Sequence, residues 1–123
     1  MPNSVVIFLR GRLRSFAFAF KGFTRLLSTE INFRIQFICG LAVCILGAVV
    51  GLSITEWMVQ LLVIALVLVA EAINSAIERL ADLISKERNK DIGSLKDIAA
   101  AAPLIAAIIA VCIGLLIYLP KIS

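Results

Sequence analysis

Trp57-Met58-Val59-Gln60-Leu61-Leu62-Val63-Ile64-Ala65-Leu66-Val67-Leu68-Val69-Ala70 runs without a break into Glu71-Ala72-Ile73-Asn74-Ser75-Ala76-Ile77-Glu78-Arg79-Leu80-Ala81-Asp82. The first part is apolar enough to enter a bilayer, yet the second carries two glutamates, an asparagine and an aspartate. Insertion scales charge ~2.5–3.5 kcal/mol for an Asp at mid-membrane, and ionisable groups in spans usually face a bundle interior or a watery cavity. The stretch therefore sets both questions: how the chain crosses a membrane, and what the acidic side chains do there.

Of the 123 residues, 62% are hydrophobic and 16% charged, with a mean hydropathy of +1.08. So few charges cannot make a polar skin for a soluble domain this short, so the chain reads as a single integral membrane domain over residues 1–123. Three stretches approach the ~20 residues that a bilayer core requires: Ile35 to Leu52, Trp57 to Ile77 and Ile98 to Tyr118. With their flanks they predict membrane helices over 35–52, 57–84 and 96–118. A tight turn, Gly51-Leu52-Ser53-Ile54-Thr55-Glu56, joins the first two and holds no Lys or Arg.

Charge asymmetry supplies an orientation. Arg10, Arg12, Arg14, Lys21 and Arg25 precede the first span, and the 85–97 loop is also basic. The positive-inside rule puts both in the cytoplasm, with the short turn and the C-terminus outside. The net charge of +4 does not point to nucleic acid, because the basic segment adjoins spans and is interleaved with Phe; anionic headgroups are the expected contact. Phe16, Phe20, Phe23 and Leu27 recur at helical spacing, so residues 10–29 predict an amphipathic helix in the interface, although Phe18 also allows a helix packed on the spans. Cys39, Cys44 and Cys112 sit in apolar runs without metal-site spacing and read as small hydrophobes. No signal-peptide cleavage pattern follows the first apolar run. Gly47 and Gly51 form a weak small-xxx-small pair at the end of the first span.

At about 100° per residue, Glu71, Asn74, Glu78 and Asp82 share one narrow arc of the second span, while Arg79, Ile73, Ile77 and Leu80 point elsewhere. Three readings are open. The stripe is a helix end emerging into water, a proton or ion pathway, or a metal-and-nucleotide site, since oxygen ligands on one face suit Mg²⁺ beside phosphates. Glu30, just before the first span, and Lys96-Asp97, at the start of the third, are expected at the level of Glu78 and favour the last reading. No Walker or Gly-x-Gly-x-x-Gly motif is present.

Glu71-x-x-Asn74-Ser75-Ala76-Ile77-Glu78, then Asp82, then Lys96-Asp97 before a run of alanines, resembles the signature of the bacterial diacylglycerol kinase family, which includes the undecaprenol kinases. Phe20-Lys21-Gly22 and Glu30-Ile31-Asn32-Phe33-Arg34 extend the resemblance, which covers the chain from about Arg14 to Lys121. It implies an all-α membrane protein with a surface helix and three transmembrane helices, assembled as a homotrimer with sites between subunits in the bacterial cytoplasmic membrane. It implies an enzyme that uses ATP and Mg²⁺ to phosphorylate the hydroxyl of a membrane lipid alcohol, diacylglycerol or undecaprenol. Carried over by position, Glu71 matches the catalytic base and lipid contact, and Arg14 a second substrate contact. Glu30 and Glu78 match the metal carboxylates. Asn74, Glu87, Arg88, Asn89, Lys96 and Asp97, with Glu30 and Glu78, match nucleotide contacts. The other class of function is a non-enzymatic membrane protein using the acidic face for ion transport or complex assembly. Gln36 departs from both subgroups and leaves the lipid open, while its surroundings look more like the undecaprenol group. Pro103 replaces an aliphatic residue; it kinks the third helix, or lies in its first turn if that helix starts late.

Overall fold

A computed structural model describes residues 2–87 and 89–123 as four helices: α1 (Pro2–Thr29), α2 (Ile31–Val50), α3 (Ile54–Ile84) and α4 (Lys90–Ile122). The last three are long and apolar enough to cross a membrane, so the all-α architecture of one surface-type helix and three spans stands.

The helix ends differ from hydropathy alone, for reasons of capping. α1 begins at Pro2 rather than near residue 10, because Val5 to Leu9 continue the helical run ahead of the basic residues. One residue, Glu30, in extended conformation (φ −104°, ψ 104°), separates it from α2. The chain turns there so that Phe23 of α1 meets Phe33 and Phe37 of α2 edge-on, at centroid distances of 5.9 and 5.7 Å. Phe16, Phe18 and Phe20 stay exposed. α1 is thus tied to the spans through its C-terminal end.

α2 starts at Ile31 rather than 35 and ends at Gly51, whose positive φ of 84° only glycine adopts freely. α3 starts at Ile54 rather than 57, because Ser53 and Glu56 form a capping box: Ser53 Oγ accepts from Glu56 N at 3.2 Å, and Glu56 Oε1 accepts from Ser53 N at 2.9 Å. Asn89 caps α4 by accepting from Ile92 N at 2.9 Å, so α4 starts at Lys90 rather than 96. Pro103 is consequently interior to α4, and the first-turn reading is overturned. It is buried and has no N–H to offer the Ala99 carbonyl.

α3 packs most extensively on α4. The two run antiparallel in a register fixed at three depths: Lys96 Nζ lies 2.5 Å from Asp82 Oδ1, Tyr118 Oη 2.6 Å from Gln60 Oε1, and Lys121 Nζ 3.1 Å from Glu56 Oε1. Tyr118 Oη also lies 3.2 Å from the Val43 carbonyl of α2. Its single proton serves one acceptor at a time, and Gln60 Nε2 is buried without a partner. α2 approaches α3 at Gly40 and Gly47, not at a Gly47/Gly51 pair. A Cβ on Gly40 would stand 2.9 Å from Ile64 Cγ2, and one on Gly47 3.2 Å from the Trp57 ring of α3 and 2.8 Å from Leu52 Cδ1 in the turn.

Candidate functional site

The seam between α3 and α4 positions the acidic stripe. On α3 the buried residues include Gln60, Val67, Glu71, Asn74 and Ser75. On α4 they are Gly93, Ala99, Pro103, Ala106 and Ile117. Small side chains on α4 let the two backbones approach, and the α3 residues between them are polar. Glu71 retains 8% of its exposure and Asn74 7%, while Glu78, two turns on, is half-buried. Rising 1.5 Å per residue, Glu71 and Glu78 stand about 10 Å apart along the axis. Asn74 Oδ1, between them, is buried with no hydrogen-bond partner.

Buried acceptors are rarely left unpaired, and each exception calls for an explanation. Two carboxylates and an amide oxygen on one strip are all acceptors, so what completes the strip is a cation or a donor. That donor set fits a hard divalent ion, which takes one or two carboxylates and keeps its remaining positions for water and phosphate oxygens. Among the described residues, no three acidic, Cys or His side chains converge to hold a metal unaided.

The remaining sequence candidates are distributed unevenly. Lys96 reaches the end of the stripe through Asp82, which is itself exposed. Asp97 is exposed beside it. Glu30 is drawn to a neighbouring face of α3: Arg79 Nη2 and Nε lie 2.8 and 2.9 Å from its Oε1. Arg79, read from sequence only as lying off the stripe, therefore engages the candidate carboxylate at the α1–α2 junction. Their 49-residue separation hides that pair from any local pattern. Asn89 is occupied as the cap of α4. Glu87 lies exposed in the loop, its carbonyl accepting from Ser85 Oγ at 3.1 Å. Arg88 lies outside the described residues. Arg14 is exposed on α1, about 22 Å along that helix from Thr29 at 1.5 Å per residue.

Beside the stripe, a cavity of about 650 Å³ opens between α1 and α3. Phe23, Leu26, Phe33, Leu68 and Ala72 form apolar walls, and Arg25, Glu30 and Arg79 supply charge. An amphiphile with an apolar chain and a polar head matches that lining.

A family model described as prokaryotic diacylglycerol kinase matches residues 17–118. The chain belongs to the prokaryotic diacylglycerol kinase family. An undecaprenol kinase from Bacillus subtilis (strain 168) is 40% identical over 109 residues, covering 89% of both chains. A diacylglycerol kinase from Synechocystis is 34% identical over 111 residues, covering 89% of this chain and 63% of the relative. A diacylglycerol kinase from Escherichia coli (strain K12) is 29% identical over 111 residues, covering 90% of both. The family members are lipid kinases, and this chain is a multi-pass membrane enzyme of that kind. The ion-transport alternative finds no support among these relatives.

Proposed function

We propose that the chain transfers the γ-phosphoryl group of ATP to the hydroxyl of a membrane lipid alcohol, with undecaprenol the first acceptor to test. The observation that carries the reading is the α3 stripe: a buried carboxylate at Glu71, an unpartnered acceptor at Asn74, and Glu78 two turns nearer the charged loop. The acceptor choice is supported by the higher identity to the undecaprenol kinase than to the diacylglycerol kinases.

The steps follow from depth. A lipid hydroxyl rests near the headgroup level, so the group that receives its proton must sit inside the bilayer edge, a place that the buried Glu71 on the α3 span would fill. Glu71 takes the hydroxyl proton as general base. The alkoxide-like oxygen forms its bond to the γ-phosphorus while the bond from phosphorus to the ADP oxygen breaks. Glu78 and Asn74, with Glu30, would hold a Mg²⁺ ion, which supplies charge neutralisation on the phosphates when bound. Lys96 offers a positive charge to the phosphates from the start of α4, with Asp97, Glu87, Arg88 and Asn89 around the nucleotide. Arg14 would contact the lipid headgroup from α1.

Three copies sharing these groups across subunit boundaries make the functional unit. The basic residues of α1 and of segment 85–97 support a cytoplasmic N-terminus in the bacterial cytoplasmic membrane. The test is phosphate transfer from labelled ATP by purified protein, with undecaprenol and diacylglycerol compared in the same micelles. The expected result is Mg²⁺-dependent labelling of lipid, faster with undecaprenol. Cation flux in liposomes with no labelled lipid would defeat the reading.

A further inference from the structure

Glu30 is the one residue between α1 and α2 and the N-cap of α2, but its side chain does not cap its own helix. Two arginines hold the junction instead. Arg34 donates from Nε to the Leu27 carbonyl at 2.8 Å and from Nη2 to the Ser28 carbonyl at 2.9 Å, covering carbonyls that the end of α1 leaves open. Arg79, from α3, places Nε and Nη2 on Glu30 Oε1 at 2.9 and 2.8 Å, and Nη2 also on Thr29 Oγ1 at 2.6 Å. Thr29 Oγ1 in turn donates to the Arg25 carbonyl at 2.7 Å.

Both guanidinium contacts with the carboxylate fall on a single oxygen. A fork that bridges one oxygen and a neighbouring hydroxyl holds Oε1 in place and leaves the acceptor capacity of Oε2 for another partner. Arg34 can order the α1 terminus but touches no acidic group, so the orientation of Glu30 rests on Arg79.

We propose that Arg79 is a positioning residue for the phosphoryl-transfer site: it clamps the α1–α2 junction to α3 and anchors Glu30 through Oε1, so that Oε2 is left to serve the metal–nucleotide. This rests on the reading of Glu30 as a metal carboxylate given above. Outer partners of metal-binding carboxylates act in this way, and their loss costs about ten- to a hundredfold in affinity. Arg79 acts through Glu30 and Thr29 and takes no part in the chemistry.

The test reads binding of Mn²⁺ with a non-hydrolysable ATP analogue, by the loss of the free-ion paramagnetic resonance signal, on the intact protein in lipid nanodiscs. Arg79→Ala and Arg79→Lys are made in the wild-type and Glu30→Gln backgrounds. Arg79→Ala is expected to weaken Mn²⁺ binding about tenfold, and Arg79→Lys by less, since a point charge cannot span both oxygens. In the Glu30→Gln background the Arg79→Ala change should fall below about twofold, because coupled residues are not additive. A wild-type affinity in Arg79→Ala, or an equal loss in both backgrounds, overturns the proposal; if Arg79→Ala fails to fold, a wild-type affinity in Arg79→Lys does so. Wild-type protein that binds no Mn²⁺–nucleotide overturns the proposed reaction itself, and the positioning role with it.

Discussion

At the residue scale, the informative atom is Asn74 Oδ1, a buried acceptor without a donor. A structural asparagine would have found a partner, and replacing it would leave that partner stranded at a cost of about 1–3 kcal/mol. Here nothing is stranded. Asn74→Leu should leave thermal stability unchanged or raise it, while lipid phosphorylation falls by about ten- to a hundredfold. Melting curves and rates on the same preparations check the pair, and a lower melting temperature with normal rates would make Asn74 a packing residue. The stripe of Glu71, Asn74, Glu78 and Asp82 was legible in sequence because one helix carries it and period alone aligns it. The Arg79–Glu30 pair was not legible, since it depends on how the chain turns at Glu30, which no local spacing records.

At the element scale, hydropathy located the spans and capping chemistry corrected their ends. Ser53-Ile54-Thr55-Glu56 is a capping-box pattern present in the sequence, and reading it would have started α3 at Ile54. Asn89 caps α4, and the charged residues 90–97 lower hydropathy there without stopping the helix. The glycines of α2 show a related limit of spacing. Spacing four suggested Gly47 and Gly51, but Gly51 ends the helix and Gly40, one heptad before Gly47, makes the close approach. Gly40→Ala would drive its Cβ to 2.9 Å from Ile64 Cγ2. Ile64 is β-branched and stiff at χ1, so the helices must part. The expected cost is about 1–3 kcal/mol, measured by reversible unfolding in mixed micelles. Adding Ile64→Leu, which lacks that methyl branch, should recover much of it. A Gly40→Ala protein as stable as wild type would mean that α2 and α3 are farther apart.

For the whole molecule, the arrangement separates two solvents along one helix. Apolar α3 carries Gln60 and Tyr118's contact toward one end, Glu71 farther along, and Glu78 and Asp82 toward the charged loop, where Lys96 joins. A lipid hydroxyl and a nucleotide can therefore approach the same strip from opposite directions, which is what a kinase acting at a bilayer edge requires. The cavity between α1 and α3 lies on the adjoining face of α3, where Ser75 and Arg79 line it with Glu30. Composition and charge pattern made the three spans and the surface helix legible; the cavity was not, because it exists only once α1 is bent against α2 by Phe23, Phe33 and Phe37. The central claim is that Glu71 receives the lipid proton while the nucleotide is held apart from it. The most direct measurement is transfer of labelled phosphate from ATP to undecaprenol by wild type and Glu71→Gln in the same nanodiscs, with nucleotide affinity recorded for both. The account predicts unchanged nucleotide affinity and a rate about a hundredfold lower or worse. A Glu71→Gln enzyme that phosphorylates lipid at the wild-type rate would contradict it.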